Sequence, residues 1–244
     1  MISKEKIKHI RSLQRKKHRD IHQQFVIEGA KMIKEAIDHA PESIIEIYGT
    51  SPLPFKLPNS IPFHEINSKE LSQLSSLKTP QPQIALCTYL PRPTHRPNFL
   101  IALDTIQDPG NFGTILRLAS WFGVNYIMAS KDTVDLYNPK VIQASMGAIF
   151  TVNVVYVDLS EELKNTDLPI YGAVLEGENV YKKELKREGI ILMGNEGNGI
   201  HQDILPFVSS PITIPKFGHG ESLNVAMATA IILSEFTRSE GEIE

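Results

Sequence analysis

From Phe99 onward the chain carries a series of short, largely apolar runs: FLIALD (99–104), VNYIMAS (124–130), TVNVVYV (151–157), PIYGAVL (169–175), GIILMG (189–194) and SSPITI (209–214). A strand with one wet face alternates polar and apolar residues. Strands without that alternation are covered on both faces, the condition of a parallel sheet. Helical patterns fall between them, over Gly113–Phe122, Asn138–Ile149, His201–Phe207 and finally Glu221–Arg238. The expected fold class is α/β with a parallel sheet, and in such sheets the working residues lie in loops at the carboxyl ends of the strands.

The front of the chain reads differently. Ile7, Ile10 and Leu13 recur at a spacing of three, with Ile21 further on, predicting an amphipathic helix over the basic N-terminal segment. FVIEG, IIEIYGT, IPFHEI and QIALCTYL read as strands, AKMIKEAIDHA as a helix stopped by Pro41, and Ser68 as the N-cap of a helix over KELSQLSSLK. In the stretch PRPTHRPNF, prolines at 91, 93 and 97 fix φ and remove donors, which makes a stiff linker. The expected division is a small α/β domain over 1–90, a linker over 91–98 and the parallel-sheet domain over 99–244.

Charge is unevenly spread along these parts. The net charge is −3, yet the first 20 residues carry eight basic side chains against Glu5 and Asp20, a local +6 that leaves −9 for the rest. A basic end on an acidic body suits a phosphate-rich partner, since Lys and Arg release counterions from a phosphate backbone; a solvated helix face is the alternative. The single cysteine, Cys87, lies inside the apolar run IALCTYL and cannot form an internal disulfide, so a buried structural role is expected. With no membrane-length apolar stretch and no secretory signal, the chain is expected to be cytoplasmic.

Three loops behind apolar strands are rich in Gly and Asn: DTIQDPGNFG (104–113), NEGNG (195–199) and PKFGHGES (215–222). A dinucleotide fold would place G-x-G-x-x-G after its first strand; GNEGNG (194–199) has the glycines in another order and comes late. No P-loop, H-E-x-x-H or paired C-x-x-C occurs, so no metal site is expected. Ser222 in G-E-S-L-N misses the nucleophile elbow, which leaves a Ser222–His219 hydrolase as a rival. The remaining polar candidates are Asn111, Arg117, Ser222 and Asn224.

These residues carry a resemblance. N-F-G-T-I-L-R (111–117), L-M-G-N-E-G-N-G (192–199) and I-P-K-F-G-H-G-E-S-L-N-V-A-M-A (214–228) are similar, in order, to the three motifs of the SpoU (TrmH) family, RNA ribose 2'-O-methyltransferases of the SPOUT superfamily. The match runs from Phe99 to the end, and the first 90 residues resemble the L30e-like substrate-binding domain of many members. The resemblance implies a parallel sheet closed by a C-terminal trefoil knot, which no periodicity would indicate. It also implies S-adenosylmethionine as cofactor, held in the knotted loops by Leu192, Gly194, Gly199, Ile214 and Leu223, with glycines at 194, 197 and 199 serving close approach or tight turns.

The family's catalytic role falls on Arg117. A guanidinium is effectively always protonated, so stabilisation of developing alkoxide and of a neighbouring phosphate is preferred to a base role. Asn111, in the loop before that helix, and Glu196 are expected to orient Arg117 or its loop. Ser222 and Asn224 resemble the motif-three pair that faces RNA; Ser222 also reads as a plain N-cap, whereas Asn224 one turn inside an apolar helix is harder to explain structurally. Gln143 stands where an arginine is common in the family, and Ser145-Met146-Gly147-Ala148 just after it are expected to pack near the cofactor loop or a dimer contact. The implied partners are a second copy of the chain and RNA, with 23S ribosomal RNA ahead of tRNA, and Arg11, Arg15, Lys16, Lys17 and Arg19 become expected backbone contacts. A non-catalytic RNA-binding protein of the same fold is the other rival.

Overall fold

The computed structural model describes residues 2–238. The chain folds as two compact units, one formed by residues up to Pro91 together with Asp135–Phe150, the other by Arg92–Val134 and the chain from Thr151 onward. The first unit therefore recruits a segment from within the region expected to be the second domain.

In the first unit, β1 (Gln24–Glu28), β2 (Ile44–Gly49), β3 (Phe63–Glu65) and β4 (Gln83–Thr88) form a sheet in the order β1-β4-β2-β3, antiparallel except for β2 and β3. The basic segment is two helices, α1 (Lys4–Ser12) and α2 (Lys16–His22), rather than one. The Ser3 hydroxyl accepts from the Lys6 amide to start α1, and the chain breaks so that Ile10 and Leu13 can both be buried. α3 (Ala30–His39) follows β1. α4 (Ser68–Leu74) is capped by Asn67, not by Ser68: the Asn67 side chain accepts from the Glu70 amide and the Glu70 carboxylate accepts from the Asn67 amide, each at 3.0 Å. Cys87 is fully buried on β4, and burial pushes its thiol well above the usual range, as expected of an inert core cysteine.

The second unit holds a six-stranded, wholly parallel sheet built from β5 (Phe99–Leu103), β6 (Tyr126–Ser130), β7 (Asn153–Val157), β8 (Ile170–Asn179), β9 (Gly189–Met193) and β10 (Ser210–Thr213), in the order β10-β8-β9-β5-β6-β7. The two central strands, β5 and β9, are the most apolar, and Leu100, Ala102, Ile190 and Leu192 join one core cluster. Two long helices, α5 (Pro109–Trp121) and α8 (Val225–Arg238), pack against one another. A short helix, α7 (Leu159–Lys164), had no counterpart in the sequence pattern.

The helix expected over Asn138–Ile149 is shorter. α6 (Pro139–Ser145) ends at Met146 and Gly147, with φ of 51° and 101°. Only glycine fits at 147, because a Cβ there would lie 2.4 Å from Glu35 Cγ within the first unit. Among the described residues no helix is long and apolar enough to cross a membrane.

Candidate functional site

Asp108 and Pro109 set the start of the site. The Asp108 carboxylate accepts from the Asn111 amide at 2.7 Å and Pro109 occupies the first helical turn, so α5 begins four residues earlier than the sequence pattern indicated. Asn111 is thus not in the loop before the helix but inside its first turn. Its side chain can then be aimed by the helix rather than by a flexible loop.

Asn224 is corrected in the opposite direction. α8 begins at Val225, and Asn224 stands at its mouth, its Oδ1 accepting from the amides of Ala226 at 3.0 Å and Met227 at 3.3 Å. It is a capping residue, the role that asparagine favours, and the puzzle of an asparagine one turn inside an apolar helix disappears. With its oxygen turned to the helix, its amide nitrogen donates to Asn111 Oδ1 at 2.9 Å. Asn111 Nδ2 in turn donates to Glu196 Oε1 at 2.7 Å. Each amide uses its oxygen as acceptor and its nitrogen as donor, so one directed chain, Asn224 to Asn111 to Glu196, links all three glycine-rich loops.

The loop after β9 is closed by its own backbone, with Asn195 and Gly199 exchanging hydrogen bonds of 2.9 Å in both directions. Gly194 is required by that closure, since a Cβ would sit 2.3 Å from the main chain of Gly199 and Ile200. Gly199 has a φ of 69°. Gly197 meets neither constraint and lies in the turn itself, its amide donating to Asn195 Oδ1 at 2.9 Å.

The other expected residues are spread between these extremes. The Arg117 side chain is exposed on α5, and its guanidinium has no hydrogen-bond or ion-pair partner among the described residues. Ser222 is exposed in the segment before α8, so it is not the helix cap. Leu223 is 51% exposed and Ile214 half-buried, whereas Leu192 is wholly buried on β9 and supports the loop from beneath. At Gly218 and Gly220 a Cβ would meet nothing within 4 Å, leaving the main chain open. Asp104, Thr105 and Asn195 also stand at this end of the sheet; the signal for them in the sequence was faint, a lone carboxylate closing the apolar run FLIALD.

In the first unit the expected RNA contacts divide. Arg11, Arg15 and Lys17 are exposed, and Lys16 is exposed but paired with Asp20 at 2.6 Å. Burial alone would raise the Asp20 carboxyl, but hydrogen bonds from Lys16 and Tyr89 and the charges of Lys16 and Arg19 hold it below the usual carboxylate range. Arg19 is not available to a nucleic acid. It is 2% exposed, donates to the carbonyls of Leu13 and Gln14 at 2.8 and 3.0 Å, and pairs with Asp135. Gln143 lies exposed on α6.

Residues 98–234 match the SpoU rRNA Methylase family, and residues 4–85 match the MRM3-like substrate binding domain. The chain is 29% identical to the Bacillus subtilis 23S rRNA (guanosine(2553)-2'-O)-methyltransferase RlmP over 94% of both proteins. Among solved structures it is similar to a TrmH-family protein from Porphyromonas gingivalis, at 34% identity and a TM-score of 0.89 over 98% of this chain and 99% of that one. An AdoMet-bound rRNA methyltransferase from Sinorhizobium meliloti superposes with a TM-score of 0.85 at 26% identity, over 98% and 96% of the two chains.

Proposed function

This chain belongs to the SpoU rRNA methylase family, and on that premise we propose that it is an S-adenosylmethionine-dependent ribose 2'-O-methyltransferase of 23S ribosomal RNA. The observation that carries the reading is the directed chain Asn224–Asn111–Glu196, which joins the three motif loops while leaving the Arg117 guanidinium uncommitted. Ribosomal RNA is preferred to tRNA because the similarity to the 23S rRNA enzyme RlmP extends over 94% of both chains, front domain included.

The residues present suit the cofactor. Leu223 and Ile214 offer apolar surface, and Gly194, Gly199 and the open main chain at Gly218 and Gly220 offer amides and carbonyls without side chains in the way. S-adenosylmethionine, when bound, supplies a methyl group on an electrophilic sulfonium. The protein's task is then to orient a ribose 2'-hydroxyl and to stabilise charge as its proton leaves. A guanidinium is a poor proton acceptor, so Arg117 is assigned the electrostatic role: it holds an RNA phosphate and stabilises the oxygen as negative charge builds while the proton passes to solvent water. Asn111 and Glu196 fix the loops on either side, and Ser222, at the entrance to α8, donates to the RNA. A cofactor titration together with mapping of 2'-O-methylated nucleotides in ribosomal RNA, with and without the gene, tests the assignment. Cofactor binding with no change in any 2'-O-methyl site of 23S rRNA would return the protein to the non-catalytic class or to another RNA.

Two further parts of the reading concern partners. Arg11, Arg15, Lys16 and Lys17 contact the RNA backbone. Reversing the charge of Arg11, Arg15 and Lys17 is expected to weaken RNA binding and to flatten its log–log salt slope by up to about 2, at roughly 0.7 per lost contact on single-stranded RNA, with cofactor affinity unchanged. Equal RNA affinity and slope in the triple variant remove these contacts. The chain also works as a homodimer in the cytoplasm, a reading supported by two large apolar side chains left exposed on the packed helices α5 and α8, Trp121 at 84% and Met227 at 61%. Sedimentation equilibrium checks this, and a fully active monomer would rule it out.

A further inference from the structure

Beyond the residues named above, the end of β5 holds a buried carboxylate to which the reaction assigns no part. Asp104 is nearly inaccessible to solvent. Its Oδ2 accepts from the His201 amide at 2.7 Å and its Oδ1 from the Thr105 hydroxyl at 2.9 Å. Thr105 itself has a φ of 58°, a left-handed conformation that β-branched residues rarely adopt. The residue is held there from several sides: its amide donates to Ser130 Oγ at 2.8 Å, its hydroxyl to Asp104, and its carbonyl accepts from Asn195 Nδ2 at 2.8 Å.

Asn195 is the other half of the arrangement. While its Nδ2 reaches Thr105, its Oδ1 accepts from the amides of Gly197 at 2.9 Å and Asn198 at 3.2 Å. One side chain therefore both builds the glycine-rich turn and ties it to the neighbouring strand end. The ladder between β5 and β9 extends as far as the Asp104 amide and the Met193 carbonyl; past that point side chains alone hold the two loops together.

We propose that Asp104, Thr105 and Asn195 form a latch of positioning residues that holds the second glycine-rich loop against the first, setting where Glu196 meets Asn111 and shaping the cofactor site. The inference rests on the proposed function for its affinity readout but not for its structural one. Three variants of the full chain separate the contributions. Asp104→Ala removes both acceptors. Asp104→Asn can keep the geometry, its Oδ1 accepting from His201 and its Nδ2 donating to the Thr105 hydroxyl. Asn195→Asp keeps the acceptor for Gly197 and Asn198 but sets an oxygen against the Thr105 carbonyl.

Asp104→Ala and Asn195→Asp are expected to raise the Kd for S-adenosylmethionine by about tenfold or more, with the Kd for RNA within about twofold, because the lost hydrogen bonds hold the loop assigned to the cofactor and leave Arg117 on its own helix. Asp104→Asn recovers most of the loss. Amide hydrogen exchange at His201 accelerates in Asp104→Ala, and at Thr105, whose carbonyl is pushed away, in Asn195→Asp, while Gly197 and Asn198 keep their acceptor, under conditions where melting shows each variant folded. Should Asp104→Ala fail to fold, Asn195→Asp and Asp104→Asn still decide the matter. Loss in Asp104→Asn equal to that in Asp104→Ala would overturn the latch, as would unchanged exchange in Asn195→Asp. Wild-type protein that binds no S-adenosylmethionine would sink the proposed function instead, and the latch would then stand or fall on the exchange data.

Discussion

Arg117→Ala is expected to lower kcat for methyl transfer by about 10²- to 10³-fold, the scale seen when a preorganised donor to developing negative charge is removed, while leaving the Kd for S-adenosylmethionine within about twofold. The reasoning rests on what Arg117 does not do. Its side chain is exposed and its guanidinium is tied to no carboxylate or carbonyl among the described residues, so it is free to meet a phosphate and its loss should cost little stability. Arg117→Lys distinguishes the two roles open to it. If the side chain acts through charge, lysine restores part of the rate, limited by the loss of the planar fork, and the rate falls as the ammonium deprotonates at a pH of about 10.4. If the side chain served as a base, the lysine variant's rate would instead rise through that pH, because only the neutral amine can accept the proton. Near-native turnover in the alanine variant, with cofactor bound, would remove Arg117 from the mechanism.

How much of this was legible in the residues depends on range. The parallel sheet was legible, because strands such as GIILMG carry no polar alternation and leave few other places to go. The family was legible through three motifs in order, but the local settings of the residues in those motifs were not. Asn111 and Asn224 exchanged roles: the one placed in a loop lies in a helix, and the one placed in a helix caps it. The first error had a remedy in plain view, since Asp108-Pro109 is an N-cap followed by a first-turn proline. The second did not, because a polar residue before an apolar helix fits a cap at 222 or at 224 equally well. The left-handed Thr105 and the recruitment of Asp135–Phe150 into the first unit have no local signature at all. They depend on contacts between residues far apart in the chain, which periodicity does not report. The knot implied by family membership belongs to the same class.

Arg19 is the clearest instance of that limit and gives the largest expected effect on stability. Five basic residues between 11 and 19 look alike as a charge run, yet one of them is a core residue. Its guanidinium closes the break between α1 and α2 by donating to the Leu13 and Gln14 carbonyls, and it neutralises Asp135, 116 positions away in the segment that the first unit recruits. Side-chain exposure is 3% for Arg19 and 15% for Asp135, so removing the cation leaves a largely desolvated carboxylate and two carbonyls without a donor. Breaking such a pair from one side costs about 3–5 kcal/mol, a large share of the roughly 5–15 kcal/mol that holds a domain together. Arg19→Ala is therefore expected to lower the urea midpoint of the first unit sharply, whereas Arg11→Ala and Lys17→Ala, at exposed positions, should shift it by no more than about 0.5 kcal/mol. Adding Asp135→Asn to Arg19→Ala should recover part of the loss, because the orphaned charge goes with it. The opposite pattern, an Arg19→Ala protein as stable as wild type but with weaker, less salt-dependent RNA binding, would return Arg19 to the nucleic-acid surface where its sequence context alone had put it.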